Sequence, residues 1–317
     1  MPNGKGAKGK EPKVRGKITT WQRVMRYKMY YFMLIPAICF YILFAYIPIA
    51  GNAIAFQDYK IGRLFFDSPW VGLKWFYKIF ETPWFWDSVK NTVIINVLSI
   101  FCVFPAPIIL ALLLNEIRIA WFKKTVQTMT YMPHFLTWPM VAAFAFIVLN
   151  PNTGIINQIF VALGMERYSF LTENGAIRSI MIISWMWKEI GWGSILYLAA
   201  ITSIPMEQYE SAKLDGANKW QQIIKITIPS MAFIITFQFI FKVSDLFGAS
   251  FDMTKSLVNA ATYTNGMNIS LYIYEFGLTK GQFAYGTAVS LLQSVVAFIL
   301  LIGANTLAKV LGQDGVF

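Results

Sequence analysis

The sequence contains few charged residues. Only 14% of its 317 residues are Asp, Glu, Lys or Arg, whereas about a quarter of the residues are charged in a typical soluble domain. Hydrophobic residues make up 56% of the chain, and no charge occurs from Tyr30 to Gln57. That stretch is longer than the roughly 20 residues that a helix needs to cross the hydrocarbon of a bilayer. The sequence therefore predicts an all-α membrane protein and argues against a soluble one.

Histidine and cysteine are almost absent. His134 is the one histidine, and Cys39 and Cys102, both inside apolar blocks, are the two cysteines. So few ligands and thiols predict no metal site and no disulfide framework, and they exclude a nucleophile with a plausible histidine partner. The phosphate-binding pattern G-x4-G-K-[ST] is also missing. We therefore expect a chain without catalytic residues or a cofactor of its own, and we interpret His134 as structural.

Apolar blocks long enough to span a membrane predict six transmembrane helices. Prolines within or beside several blocks predict that some of these helices are kinked. The six blocks lie at about 32–54, 92–114, 129–149, 179–200, 230–250 and 286–308.

Basic residues predict the orientation of these spans. Nine of the 27 Lys and Arg residues lie in the first 28 positions, which predicts that residues 1–28 are a disordered cytoplasmic tail touching anionic lipid. This location argues against nucleic acid as the partner. If the chain crosses the membrane six times, the segments on the same side as the N-terminus hold 16 Lys and Arg residues. The segments on the other side of the membrane hold 9. Both termini are therefore predicted to be cytoplasmic, and residues 29–317 are predicted to form the transmembrane domain.

The first segment on the opposite side mixes tryptophan and lysine at helical spacing. Residues 69–80, followed by Trp84 and Trp86, predict an amphipathic helix at the membrane interface. Two interpretations remain open: the helix anchors the protein in the membrane, or it forms a docking surface for an external partner.

The segment at about 201–229, between the predicted fourth and fifth spans, mixes polar and apolar residues. Pro205 precedes a turn that contains Glu207, which favours a helix start because acidic residues suit the positive end of the helix dipole. Gly216 and Asn218 weaken helices and predict a sharp turn. We expect a helix, a turn and a second helix, joined rigidly to two spans, which could transmit force from a soluble partner.

This segment resembles the EAA loop of permeases from binding-protein-dependent ABC importers, whose pattern is E-A-A-x3-G-x9-I-x-L-P. Here the pattern reads Glu210-Ser211-Ala212, then Gly216, then Ile226-Thr227-Ile228-Pro229. Ser211 replaces an alanine and Ile228 a leucine. The chain also resembles the branch that imports alginate and pectin-derived oligosaccharides, in segments 46–59, 104–107, 112–116, 131–135, 187–194 and 285–288.

The resemblance implies a type I importer bundle in a bacterial inner membrane. It implies a second permease, usually a different chain, two cytoplasmic ATPases that bind ATP and magnesium, and an extracytoplasmic solute-binding protein. Transport would proceed by alternating access. By the same resemblance, the residues that couple the permease to the ATPase are Glu210, Ser211, Ala212, Asp215, Gly216 and Ala217.

Charges inside the predicted spans are candidates for the substrate path, because an unpaired charge in a bilayer is costly. Lys188 and Glu189 are adjacent, so at most one of them is expected to face a central cavity. Lys242 and Asp245 are three residues apart and could pair. Path lining and structural pairing both remain open. Sugars stack on aromatic rings, which adds two candidates to the path, Trp187 and Trp192.

Two other classes of membrane protein compete with a permease. A glycan-synthesising enzyme needs clustered acids and bases at one membrane face, and the sequence shows no such cluster. A secondary transporter is typically built from inverted repeats with broken helices. No internal repeat is visible, and a docking loop for an ATPase argues against that class.

Overall fold

The computed structural model describes residues 25–60, 62, 67–248 and 250–310. The described residues contain no β-strand, apart from one isolated antiparallel bridge between Gln57 and Trp70. The all-α prediction is confirmed for this part of the chain. Most of the predicted basic tail, residues 1–24, lies outside the described residues.

The chain divides into two units, Met1–Ala53 and Ile54–Phe317. The described part of the first unit is an apolar helical segment that begins at Lys28. Within it, a π-helical turn at Ile42–Tyr46 separates two α-helical stretches. These stretches are α1 (Lys28–Tyr41) and α2 (Ile47–Ala50).

The second unit contains the remaining helices. Its first half comprises α3 (Lys74–Glu81), α4 (Pro83–Cys102), α5 (Pro105–Glu116), α6 (Ala120–Tyr131), α7 (Trp138–Leu149), α8 (Ile155–Ala162) and α9 (Asn174–Thr202). Its second half comprises α10 (Met206–Leu214), α11 (Lys219–Gln222), α12 (Ile228–Ser230), α13 (Ala232–Ser244), α14 (Phe251–Leu257), α15 (Tyr263–Gly266), α16 (Ile269–Tyr272) and α17 (Phe283–Val310).

Three helical segments are long and apolar enough to cross a membrane, and they coincide with predicted blocks: Lys28–Phe56, Pro83–Glu116 and Phe283–Val310. Two more predicted blocks coincide with bent helix pairs. The pair Ala120–Phe135 and Trp138–Leu149 bends by 107°, and the pair Lys219–Ser230 and Ala232–Ser244 bends by 64°.

The amphipathic helix predicted after the first span is present as α3. One face of α3 packs into the protein, since Ile79 is fully buried and Nε1 of Trp75 donates to the backbone oxygen of Gln57 at 2.8 Å. Tyr77 and Phe80 on the other face are exposed. The helix is therefore fixed to the protein while it presents aromatic rings outward.

The main core lies between α4, α9 and the helices that follow α13. Asn91 and Asn96 on α4 are buried in this core. The side-chain amide of Asn96 donates to the backbone oxygen of Leu246 at 2.9 Å, and that of Asn91 donates to the backbone oxygen of Met267 at 3.1 Å. Buried amides thus satisfy the carbonyls of an irregular segment, which apolar side chains could not do.

Glycine allows α9 to cross α6 at short distance. A Cβ atom at Gly191 would overlap the backbone carbonyl of Thr130. Gly175, on the same helix, has open space around it. The two glycines therefore form a matched pair for testing the crossing.

We expect Gly191→Ala to destabilise the protein by at least about 1–3 kcal/mol, because the methyl group must push two backbones apart. Gly175→Ala should leave stability unchanged or raise it slightly, since alanine has the higher helix propensity. Thermal unfolding of both variants in detergent checks this. Equal melting temperatures would show that α6 and α9 do not cross this closely.

Candidate functional site

The segment predicted to couple with an ATPase begins with α10, which ends in a left-handed turn. Gly216 has a φ of 81°. Its N–H donates to the oxygen of Lys213 at 3.1 Å, and the N–H of Ala217 donates to the oxygen of Ala212 at 2.8 Å. These two bonds form a Schellman motif, which satisfies carbonyls that the helix end would leave free. Glycine is favoured at 216 because L side chains rarely adopt this φ.

A second helix begins at once. Asn218 caps α11 by accepting a hydrogen bond from the N–H of Gln221, and the Gln221 side chain accepts one from the N–H of Asn218. Such a reciprocal capping box fixes the direction of the new helix. The Gln222 side chain also donates to the oxygen of Ala217 at 3.2 Å. The predicted helix, turn and second helix are therefore present.

The outer surface of this helix pair is open. None of the residues of α10 is buried, and Glu210, Ser211, Asp215 and Gly216 are exposed, whereas Ala212 and Ala217 are half-buried. Large apolar side chains stand beside these carboxylates, with Leu214 89% and Trp220 73% exposed. Apolar surface rimmed by charges is typical of a protein interaction site.

The helix pair is attached to the membrane helices by a few polar contacts. The hydroxyl of Tyr209 lies 3.0 Å from Oγ1 of Thr227. Nζ of Lys219 lies 3.1 Å from Oε2 of Glu116, at the end of α5. A cavity of about 360 Å³ separates α10 and α11 from the ends of α5 and α9.

The charges of the fourth predicted span lie beside a break in the preceding one. The backbone turns sharply between α6 and α7, through a short 3₁₀ turn at Met132–Phe135. We call this turn the elbow. Lys188, the middle residue of α9, is buried and its Nζ donates to the backbone oxygen of His134 in the elbow. The same Nζ lies 3.5 Å from Oε1 of Glu189.

His134 has partners that the sequence did not indicate. Its Nδ1 lies 2.8 Å from Oε2 of Glu189. Its ring stacks on Trp192, with centroids 4.4 Å apart and planes 2° from parallel. Although adjacent residues diverge by about 100° around a helix, Lys188 and Glu189 bring their head groups together here. Lys188 therefore satisfies a backbone carbonyl at the break, and Glu189 contacts Lys188 and the His134 ring. These contacts favour structural pairing.

Lys242 and Asp245 have a different environment. Both are among the described residues, and no ion pair joins them there. Nζ of Lys242 instead lies 3.8 Å from the centre of the Trp185 ring, a geometry that favours a cation–π interaction. Lys242 and Asp245 line a cavity of about 580 Å³, together with Tyr197, Gln238 and Ser244. These polar groups suit a hydroxylated ligand.

The predicted path residues therefore fall into separate groups. Trp185, Glu189 and Trp192 occur at positions i, i+4 and i+7 of α9 and share one face, which connects the elbow with the Lys242 cavity. Trp187 points elsewhere and lines an apolar cavity of about 1030 Å³ with residues of α6 to α9. The sequence analysis missed Tyr197, which lies on another helix and which the chain order does not bring near Lys242. It also missed Gln238, although Gln238 lies four residues before Lys242 on α13 and this spacing places the two on one face.

The described residues contain no cluster of three or more His, Cys, Asp or Glu side chains that could hold a metal ion. Nothing in this part of the chain therefore points to a metal centre.

Comparison with known proteins gives one family. Residues 103–312 match the family described as "Binding-protein-dependent transport system inner membrane component". The chain is 40% identical over 295 residues to the polygalacturonan/rhamnogalacturonan transport system permease protein YteP of Bacillus subtilis (strain 168), covering 93% of this chain and 92% of that one. It is 37% identical over 303 residues to protein LplB of the same organism, covering 95% of each.

A solved structure is similar over nearly its full length. A chain of a bacterial alginate ABC transporter, in complex with an alginate pentasaccharide-bound periplasmic protein, matches with a TM-score of 0.87 and 35% identity. The match covers 94% of this chain and 99% of that one. The type I permease fold is therefore shared.

We expect Lys188→Met and Lys242→Met to differ in their effects. Lys188→Met removes a buried donor and leaves Glu189 and a carbonyl without their cation, so unfolding stability should fall by about 2–3 kcal/mol. Lys242→Met removes a cation–π contact worth about 1 kcal/mol, so its main effect should be on transport. Thermal unfolding and substrate uptake, measured on both variants, check this. A Lys242 variant with full transport would remove this cavity from the path.

Proposed function

The chain belongs to the family of binding-protein-dependent transport system inner membrane components, and from this premise we propose that it carries an oligosaccharide through the membrane by alternating access. It is a transport subunit and not an enzyme. The observation that carries the proposal is the exposed helix pair with Gly216 at its turn. The segment that contains this pair matches the spacing of the EAA pattern, with Ser211 and Ile228 as the two departures, and it leads into the second bent helix pair.

We propose six spans. Three come from the long apolar segments and two from the bent pairs. The sixth is α9, whose 29 residues exceed the roughly 20 that a span requires, although it carries Arg178, Lys188 and Glu189. The excess of basic residues in one set of loops supports cytoplasmic termini and a cytoplasmic helix pair.

Coupling would proceed through Glu210, Ser211, Ala212, Asp215, Gly216 and Ala217. In this proposal the surface that they form enters a groove on a cytoplasmic ATPase. Two ATPase subunits bind ATP and magnesium and close, which moves this chain and a second, different permease from the inward-facing to the outward-facing state. Hydrolysis resets them. An external solute-binding protein delivers the substrate.

The relatives indicate the class of substrate. One is named for polygalacturonan and rhamnogalacturonan, and the similar structure is titled for alginate, so we propose an oligosaccharide derived from such polysaccharides. The cavity beside Lys242, Asp245 and Gln238 offers a cation and polar groups for it. Trp185 and Trp192 provide aromatic rings on the face of α9 between the elbow and the Lys242 cavity. Lys188 and Glu189 contribute to the path by holding the elbow in place.

Gly216→Arg should abolish stimulation of the ATPase by the loaded binding protein. The arginine must adopt a left-handed conformation, which costs roughly 1–2 kcal/mol, and it places a long cation on the docking surface. The measurement is ATP hydrolysis by the assembled complex in lipid, with binding protein and a series of oligosaccharides.

Gly164→Arg is the matched control. Gly164 has a φ of 76° and open space around it, but it lies in a segment predicted to be on the opposite side of the membrane. The control carries the same strain and charge, so it should be stimulated like the wild type. Full stimulation of the Gly216 variant would show that this turn is not the coupling element.

A further inference from the structure

The helix α10 has little to hold it in place. None of its residues is buried, and it begins after Pro205 and ends at the Gly216 turn. Among the described residues, the contact of Tyr209 with Thr227 is the only side-chain hydrogen bond or ion pair that leaves α10. Apart from the packing of its half-buried residues, α10 is therefore joined to the rest of the protein by this contact and by its two chain ends.

Thr227 occupies a distinctive place on the other side of this contact. It is buried and ends a π-helical turn, Ile223–Thr227. The N–H of Ile228 donates to the oxygen of Ile223, five residues back, and Pro229 follows with no N–H to continue the α-helical pattern. The bend of 64° comes at Met231. The Tyr209–Thr227 hydrogen bond therefore joins α10 to a point where the helical hydrogen bonding is already irregular.

We propose that the Tyr209–Thr227 hydrogen bond is the mechanical link that transmits movement of α10 to the bend before α13. This proposal rests on the coupling role proposed above and assigns its transmission to one pair of side chains. Tyr209 and Thr227 are positioning residues. They belong neither to the residues proposed to contact the ATPase, Glu210 to Ala217, nor to the lining of the Lys242 cavity.

The physical argument concerns stiffness. A regular α-helix transmits a displacement along its axis, whereas a π-helical turn holds an extra residue and marks functional sites in many proteins. A lateral pull at Thr227 acts on this turn and on the bend a few residues further. The hydrogen bond is partly buried, so its strength depends less on salt than that of an exposed ion pair.

The second attachment of the helix pair is a weaker candidate. Lys219 and Glu116 form an ion pair whose side chains are 63% and 43% exposed, and exposed pairs of this kind contribute little. This pair also holds α11 and not α10. The Lys219–Glu116 ion pair therefore serves as an internal control, because it can be removed while the Tyr209–Thr227 hydrogen bond is kept.

The test is hydrogen exchange in the assembled complex of this chain with its partner subunits in nanodiscs, with and without magnesium and a non-hydrolysable ATP analogue. Exchange is followed in residues 206–214 and in residues 223–231. In the wild type both segments should respond to the nucleotide. In Tyr209→Phe, residues 206–214 should still respond, whereas the response of residues 223–231 should fall about fivefold, as expected for the loss of one hydrogen bond.

Two substitutions at Thr227 separate the link from a general effect on folding. Thr227→Val keeps the shape and removes the hydroxyl, so it should reproduce the loss seen in Tyr209→Phe. Thr227→Ser keeps the hydroxyl and should restore the response. Lys219→Gln should behave like the wild type.

The outcomes distinguish the two proposals. An undiminished response of residues 223–231 in Tyr209→Phe and in Thr227→Val would overturn the link and leave the coupling role intact. A wild type in which residues 206–214 do not respond to the nucleotide would overturn the coupling role itself. A loss in Lys219→Gln equal to that in Tyr209→Phe would assign the transmission to the ion pair instead.

Discussion

Backbone hydrogen bonding is the constraint on which this structure depends. Inside a bilayer no water is available for a free N–H or C=O group, so every break in a helix needs a partner from the protein. The chain breaks sharply at the elbow, and the buried Lys188 donates to the backbone oxygen of His134 there. The charge of Lys188 is then a consequence of the break, and the cost of burying it is offset by the carbonyl that it satisfies.

The same constraint explains how much the sequence could show. Length and apolarity are local properties, so the all-α fold and the apolar blocks could be predicted without knowledge of contacts. The ends of α10 were predictable for the same reason, because Gly216 and Asn218 act on their own neighbours. The partners of the membrane charges were not predictable. Lys188 meets His134 across 54 positions of sequence, and no periodic pattern records such a contact.

Distance along the chain also explains why the aromatic neighbour of Lys242 was not predicted. Spacing on one helix suggested Asp245 as its partner, since residues three apart share a face. The structure supplies a closer alternative from another helix, the ring of Trp185. A local rule can name a possible neighbour, but tertiary packing decides which neighbour is nearest. The predicted path residues therefore lie in three different environments: the elbow, the Lys242 cavity and the apolar cavity at Trp187.

The elbow also has a consequence for the synthesis of the protein. The helix α7 has 12 residues, which extend about 18 Å along the axis, well short of the roughly 30 Å of hydrocarbon. The donor that satisfies the elbow belongs to α9, which the ribosome has not yet made when α7 leaves it. The elbow therefore reaches its final hydrogen bonding only after α9 has been made and packed against it.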